Sequence, residues 1–294
     1  MPELPEVETV RRGLEPVLAG RRLTRVTQRR ANLRFPFPQN FVERLQGQRI
    51  ARVDRRAKYL VAHIESGEAL IMHLGMTGRF TISSTATNSQ VGTFGHDAGK
   101  DSKHDHVVFE TDDGTTVTYN DARRFGFMDL ADAATLAEHP LIRDIGIEPL
   151  GPDLTPAFIA AAARSKRADL KAFLMDQTIV CGLGNIYVCE TLYRARLSPV
   201  KPSSRIATPT GRARPAADRL VPLIQDVLGE AIGAGGSTLR DYQHTDGSLG
   251  YFQHRFAVYG REGEPCHTLG CSAVIKRIVQ ANRSTFYCPA CQRG

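Results

Sequence analysis

Residues 266–291 read CHTLGCSAVIKRIVQANRSTFYCPAC, and this stretch decides how the C-terminal end of the chain must fold. It holds four of the six cysteines, Cys266 and Cys271 as C-x4-C, then Cys288 and Cys291 as C-x2-C, with sixteen residues between the pairs. That separation suits a β-hairpin with a thiol pair at each base. Four thiolates complete a tetrahedral shell and leave no open position, so the pattern points to one structural Zn²⁺ rather than a catalytic metal. A hairpin this small has no core of its own, and the ion is expected to staple it. Two disulfides, or a redox dithiol at 288–291, are the competing readings. The acidic opening MPELPEVE carries no apolar leader, which favours reduced thiols and therefore the metal. His267 adjoins Cys266 and is not read as a ligand. Cys181 and Cys189 sit in apolar surroundings and are read as buried free thiols.

Upstream of the hairpin the chain reads as helical. Segments 156–164, 168–177, 185–196 and 212–233 have helical periodicity, and Gly182-Leu183-Gly184 separates the second from the third. Residues 249–260 return to strand character. Upstream again, Pro140, Pro149, Pro152 and Pro156 punctuate 131–156 and mark an interdomain linker.

The N-terminal half opens with Val7, Val10, Leu14 and Val17 at helical spacing, which predicts an amphipathic helix over about 6–18. Strand-rich segments follow at 22–30, 48–64, 68–82 and 105–128, with Asp112-Asp113-Gly114 as a hairpin signal. One helix followed by an antiparallel sandwich or barrel is the expectation. Residues 83–103 are polar and rich in Gly, Ser and Thr, and read as a loop. The resulting class is α+β and multidomain, with domains at 1–132, 154–254 and 255–294 and a linker at 133–153.

A hydrophobic fraction of 41% over 294 residues fits a folded protein of two or more domains. No apolar run reaches the length of a membrane helix, so the expected compartment is the cytoplasm. The net charge of +7 is unevenly placed: residues 1–60 carry fourteen Lys/Arg against six Asp/Glu, and 255–294 carry six against two. Two basic ends around an acidic middle suit a polyanion gripped at separate places. With Lys276, Arg277 and Arg283 on the hairpin, nucleic acid is the indicated partner class.

Charge suggests binding; chemistry is suggested by Met1-Pro2-Glu3. Removal of Met1 leaves a secondary amine next to a carboxyl group. An α-amine titrates at about 7.7–8.0, well below lysine, so part of it is neutral and nucleophilic near neutral pH. Attack on a sugar's anomeric carbon gives an iminium, an electron sink for later eliminations, and the neighbouring acid can donate a proton. Many proteins begin Met-Pro, so the dipeptide alone is a weak signal.

The longer string MPELPEVETVRRGLEP (1–16) resembles the N-terminus of the formamidopyrimidine-DNA glycosylase family, the bacterial 8-oxoguanine repair enzymes. The resemblance continues in order through RRAKYL (55–60), HLGMTGRF (73–80), KHDHV (103–107), YNDARRFG (119–126), LMDQ (174–177), GLGNIY (182–187), GGSTLRDY (235–242), VYGREGEPC (258–266) and RSTFYCPACQ (283–292). It implies an N-terminal β-sandwich domain with a leading helix, a helix–two-turn–helix domain, a β-hairpin zinc finger, and duplex DNA carrying oxidised bases or abasic sites in the cleft between the domains. A monomer is the simplest expectation, because a single cleft between two domains suffices; no obligate protein partner is expected, and the expected place is the cytoplasm, associated with the nucleoid.

By the same resemblance Pro2 is the Schiff-base nucleophile, Glu3 the general acid, Lys58 a phosphate contact that assists β-elimination, and Arg283 a zinc-finger arginine implicated in δ-elimination. Met76, Arg123 and Phe125 resemble the residues that fill the gap left by a flipped-out nucleotide; from residue type alone Met76 and Phe125 would be assigned to the core. His104, Arg167 and Asn185 match phosphate-contacting positions, Asn185 at a helix start where free N–H groups favour an anion. Cys266-x4-Cys271 departs from the family's usual C-x2-C, Arg167 stands where lysine is usual, and the 83–103 loop is longer than typical. Two other readings stand beside this one. The sister enzyme endonuclease VIII, which prefers oxidised pyrimidines, usually opens MPEGPE and lacks the Met/Arg/Phe trio. A zinc-finger DNA-binding protein without catalysis predicts a changed Pro2 or Glu3.

Overall fold

The computed structural model describes residues 2–84, 102–237 and 251–294. The loop expected over 83–103 and the motif 235–242 therefore lie largely outside the described residues. The chain divides into two compact units, Met1–Arg143 with Ala234–Gln253, and Asp144–Gly233 with His254–Gly294.

In the first unit, helix α1 (Leu4–Leu18) is followed by β1 (Leu23–Gln28), a short α2 (Phe41–Leu45), and then β2 (Ile50–Arg56), β3 (Tyr59–Ile64), β4 (Glu68–His73), β5 (Arg79–Ser84), β6 (Asp105–Thr111), β7 (Thr115–Asn120) and β8 (Phe127–Asp132). The strands form two four-stranded antiparallel sheets, β1-β6-β7-β5 and β2-β3-β4-β8. The expected sandwich is present. Its core joins Val7, Val10, Leu14 and Leu18 of α1 to inward residues of both sheets, among them Val26, Val53, Leu60, Met72, Phe80, Phe109 and Tyr119. Alternating apolar residues thus give each sheet one buried face, and α1 contributes its apolar stripe to the same core. The β6–β7 turn forms at the predicted hairpin signal: Asp113 Oδ1 accepts from Thr115 N (3.1 Å) and Thr111 Oγ1 (2.7 Å), and Gly114 has φ +82°.

The second unit holds α3 (Pro156–Ala163), α4 (Leu170–Leu174), α5 (Asn185–Arg194), α6 (Pro215–Gly233), and the hairpin β9 (Lys276–Gln280) and β10 (Arg283–Tyr287). Thr155 and Asp169 cap α3 and α4 by accepting from Phe158 N (3.1 Å) and Ala172 N (2.7 Å). The Gly182–Gly184 break is pinned by Gln177, which accepts from Gly182 N (3.0 Å) and donates to Leu183 O (2.8 Å). Cys181 and Cys189 are buried, as their surroundings predict.

One sequence expectation needs revision. Residues 251–260 hold a 3-10 turn, Phe252–Arg255, and no strand. The backbone N–H groups of Ala257, Val258 and Tyr259 go instead to the buried carboxylate of Glu190 on α5, at 2.8–3.0 Å. A carboxylate collecting three amides replaces a sheet partner. The zinc hairpin belongs to the same compact unit as the helices, and Ala234–Gln253 belongs with the N-terminal unit. Among the described residues, no helix is long and apolar enough to cross a membrane.

Candidate active site and zinc centre

Pro2 and Glu3 are both buried and sit immediately ahead of α1. Glu3 N donates to Glu6 Oε2 at 2.8 Å, so the residue three positions on turns back to satisfy the start of the helix. The other oxygen, Glu6 Oε1, accepts from Ser237 N and Ser237 Oγ, both at 2.9 Å. One buried carboxylate therefore fixes the N-terminal segment against the GGS segment of residues 235–237. Gly236 (φ +78°) permits this approach, because a Cβ there would stand 3.2 Å from Glu6 Cγ and Oε1.

Lys58 is buried in the two-residue turn between β2 and β3, where Arg56 pairs with Tyr59. The turn places Ala57 at φ +54°, a left-handed conformation that costs an L-residue roughly 1–2 kcal/mol. Arg55 braces it by donating from Nη1 to Ala57 O (2.9 Å) and from Nε to Glu8 Oε2 on α1 (3.2 Å). Burial alone would raise the Glu8 carboxyl, but hydrogen bonds from Arg11 and Arg12 and the charges of Arg11 and Arg55 hold it below its ordinary value. Helix α1, whose start carries Pro2 and Glu3, thus also supports the turn carrying Lys58. Beside that turn, His73 stacks on Phe127 with ring centroids 5.1 Å apart and accepts from Gly75 N at Nδ1 (3.0 Å). Burial, with the charges of Lys58 and Arg34, pushes His73 down to about 4, so it is neutral near pH 7.

Met76, Arg123 and Phe125 come together on two adjoining turns. Gly75 (φ +63°) lies against the other turn so closely that a Cβ would stand 2.3 Å from Gly126 N and Phe125 C. Thr77 Oγ1 donates to Asp121 Oδ1 (2.5 Å) and accepts from Arg123 N (3.2 Å), while Asp121 Oδ2 accepts from Gly126 N (2.8 Å) and Tyr119 OH (3.3 Å). Burial and the Asp121 charge push the Tyr119 phenol well above its ordinary value, which keeps it a donor. Phe125 is 42% exposed under the Arg123 guanidinium, 4.7 Å from the ring centroid, and Met76 is half-buried. Neither residue is a closed core position. His104 enters the same region through its carbonyl, which accepts from Asp121 N (3.0 Å).

The remaining expected site residues lie in the second unit. Arg167 is exposed between α3 and α4, and Asn185 opens α5, donating from Nδ2 to Ser284 O (2.9 Å). Arg283 is exposed at the start of β10, after a two-residue turn with both Ala281 (φ 46°) and Asn282 (φ 61°) left-handed. The strand behind it is anchored by Lys171 of α4, which is 2% exposed and donates from Nζ to Thr285 Oγ1 (2.6 Å) and Ser284 O (3.3 Å).

At the base of the hairpin the four sulfurs of Cys266, Cys271, Cys288 and Cys291 lie within 4.8 Å of one another, with Cys266–Cys291 and Cys271–Cys288 each at 3.8 Å. A Zn–S bond of 2.3 Å sets tetrahedral sulfur–sulfur edges at about 3.8 Å, so the cluster has the dimensions of a zinc–tetrathiolate site.

Residues 1–128 match the formamidopyrimidine-DNA glycosylase N-terminal domain, 145–243 match the formamidopyrimidine-DNA glycosylase H2TH domain, and 263–294 match the zinc finger found in FPG and IleRS. The chain belongs to the formamidopyrimidine-DNA glycosylase family. Curated formamidopyrimidine-DNA glycosylases include one from a Chelativorans species, 56% identical with all of both chains covered, and one from Methylobacterium radiotolerans, 58% identical over 99% of each. Among solved structures, the MutM (Fpg) protein of Thermus thermophilus is 38% identical, with TM-score 0.81 over 99% of this chain and 98% of the other. A Lactococcus lactis Fpg mutant in complex with a Fapy-dG containing DNA is 33% identical, with TM-score 0.84 over the whole of both chains. As a formamidopyrimidine-DNA glycosylase family member with this finger, the chain has a site for one structural zinc at its four clustered cysteines.

Sequence reading missed Glu6, Asp121, Lys171 and Glu190. Glu3-x-x-Glu6 has capping-box spacing, and Lys171 stands inside the apolar run LKAFL, so both carried a faint signal. Asp121 lies inside the quoted YNDARRFG, but nothing in that string shows its contact with Thr77, and Glu190 gave no signal because its amide donors lie 67 to 69 positions on.

Proposed function

We propose that the chain is a bifunctional DNA glycosylase and abasic-site lyase that removes oxidised purines, 8-oxoguanine and formamidopyrimidines among them, from duplex DNA. The reading rests on its full-length likeness to formamidopyrimidine-DNA glycosylases, of which the Lactococcus lactis relative was crystallised with Fapy-dG DNA. The observation that carries it is the buried Pro2-Glu3 pair at the head of α1, with Glu8 of that helix bracing the Lys58 turn through Arg55.

In the proposed reaction the Pro2 amine, freed of Met1, attacks the anomeric carbon of the lesion nucleotide. Glu3 supplies the proton that the sugar oxygen or departing base requires. The sugar ring opens to an iminium on Pro2, which acidifies the neighbouring carbon. Loss of a proton there expels the 3′ phosphate, and a second elimination expels the 5′ phosphate. Lys58 holds phosphate and assists the first elimination, and Arg283 serves the second. Hydrolysis of the remaining imine frees the enzyme. Met76 and Phe125 offer apolar surface to the gap left by the flipped base, and Arg123 pairs with the orphaned base. His104, Arg167 and Asn185 contact flanking phosphates. Working on the chromosome, the protein belongs with the nucleoid in the cytoplasm.

The test is borohydride trapping of the Met1-trimmed protein on an 8-oxoguanine·cytosine duplex, with the cross-link located by mass spectrometry. A cross-link at Pro2 supports the proposal. Trapping only with an oxidised pyrimidine overturns the substrate class, and tight binding with no cross-link overturns catalysis. Full strand cutting by Pro2→Gly overturns the nucleophile.

A further inference from the structure

The first cysteine pair is two residues longer than the second, and the extra chain has to be held for the sulfurs to meet. The structure shows what holds it. Tyr193, near the end of α5, places its hydroxyl 3.4 Å from Cys266 Sγ and 2.9 Å from Thr268 Oγ1, and Thr268 N donates to the same Cys266 Sγ at 3.5 Å. Further along this loop Cys271 N donates to Thr268 O (3.0 Å), closing a turn between the two ligands. Leu269, at the tip, is fully exposed and contributes no packing of its own. Polar contacts therefore fix the longer knuckle.

We propose that Tyr193 and Thr268 form an outer clamp on the zinc centre, in which the tyrosine hydroxyl donates to the Cys266 thiolate and ties the C-x4-C loop to helix α5. A hydroxyl hydrogen bond withdraws charge from a ligating sulfur and fixes its direction toward the metal. Helix α5 also carries Asn185, whose amide reaches Ser284 O beside Arg283. The clamp is a positioning device: it touches neither substrate nor metal and acts through Cys266.

The experiment uses the full, zinc-loaded chain. Zinc release to a chromophoric chelator is followed for the wild type, Tyr193→Phe, Thr268→Val, Thr268→Ser and the Tyr193→Phe/Thr268→Val double variant. Tyr193→Phe is expected to release zinc about tenfold faster, the lower end of what loss of an outer-shell partner causes. Thr268→Ser keeps the hydroxyl and should behave as wild type, whereas Thr268→Val should not. The double variant should fall short of the product of the two single effects, because both hydroxyls serve one contact. Cobalt-substituted protein gives a second readout that a merely structural tyrosine would not move. Losing a hydrogen bond to sulfur shifts the thiolate-to-cobalt charge-transfer band to lower energy in Tyr193→Phe. Unchanged release together with an unchanged band overturns the clamp, as does equal behaviour of Thr268→Ser and Thr268→Val.

Discussion

Thr77 Oγ1 and Asp121 Oδ1 lie 2.5 Å apart, and this contact joins the turn carrying Met76 to the turn carrying Arg123 and Phe125. Asp121 is wholly buried and accepts from Thr77, Gly126 N and Tyr119 OH. Asp121→Asn keeps the shape but replaces one acceptor oxygen with a donor. The expected cost is about 2 kcal/mol of stability, measured by urea unfolding, because a buried donor loses its partner. Strand cutting should fall while Pro2 trapping on a pre-formed abasic site persists. Wild-type cutting at full stability would remove Asp121 from the positioning of the trio.

A second prediction concerns Glu6. Its two oxygens serve Glu3 N on one side and Ser237 on the other, so Glu6→Gln sets an amide NH₂ against one of these donors. Displacement of the N-terminal amine by an ångström is enough to slow a positioned reaction by about 10–100-fold. Single-turnover base release should drop by that order with DNA affinity nearly unchanged. An affinity loss of equal size would instead place Glu6 in binding.

Histidine 73 makes stability depend on pH. Its folded-state value is lowered to about 4 from 6.5, so the unfolded chain takes up a proton first as pH falls. Stability is full above pH 6.5 and is lost progressively as pH drops from 6.5 toward 4. Between about pH 7.5 and about pH 4.5 this group should remove about 2.5 kcal/mol. His73→Asn offers Gly75 N an acceptor without a titrating ring. Its urea midpoint should fall less steeply with acid, and a slope identical to wild type would contradict the assignment.

Zinc removal supplies a fourth. Among the described residues, the buried members of the cluster around the sulfurs are few, Cys189, Val258, Cys266, Ile275 and Cys288, with Tyr193, Tyr259 and Phe286 only partly buried, whereas a structural zinc contributes on the order of 10–16 kcal/mol. Cys288→Ser should lower bound zinc well below one per chain and abolish DNA binding at physiological salt. The far-ultraviolet signal of the sandwich should remain. Retained binding in zinc-free protein would show that the hairpin does not depend on the ion.

Much of the architecture was legible before any coordinates. Val7, Val10 and Leu14 announced α1 by their period, and alternation announced the strands, because burial on one face imposes a repeat that the sequence displays. The same reasoning failed at 251–260. Phe252, Phe256 and Val258 are buried there, yet the backbone turns through 3-10 geometry and gives its amides to Glu190. A short apolar run reports burial but not which acceptor its backbone finds. Residue type alone likewise put Met76 and Phe125 in the core, whereas turns sealed by Gly75 and Asp121 leave Phe125 exposed and Met76 half-buried.

By itself the sequence determined the zinc ligands, the leading helix and the sandwich strands, which are set by spacing or period. Only the tertiary structure decided which polar partners hold them. Glu6 meets Ser237 across 231 positions, Lys171 meets Thr285 across 114, and Thr77 meets Asp121 across 44. Such contacts have no period to read. They form where folding has already removed water from a carboxylate, ammonium or hydroxyl, and that group must then find a partner among whatever the packed core has brought within reach.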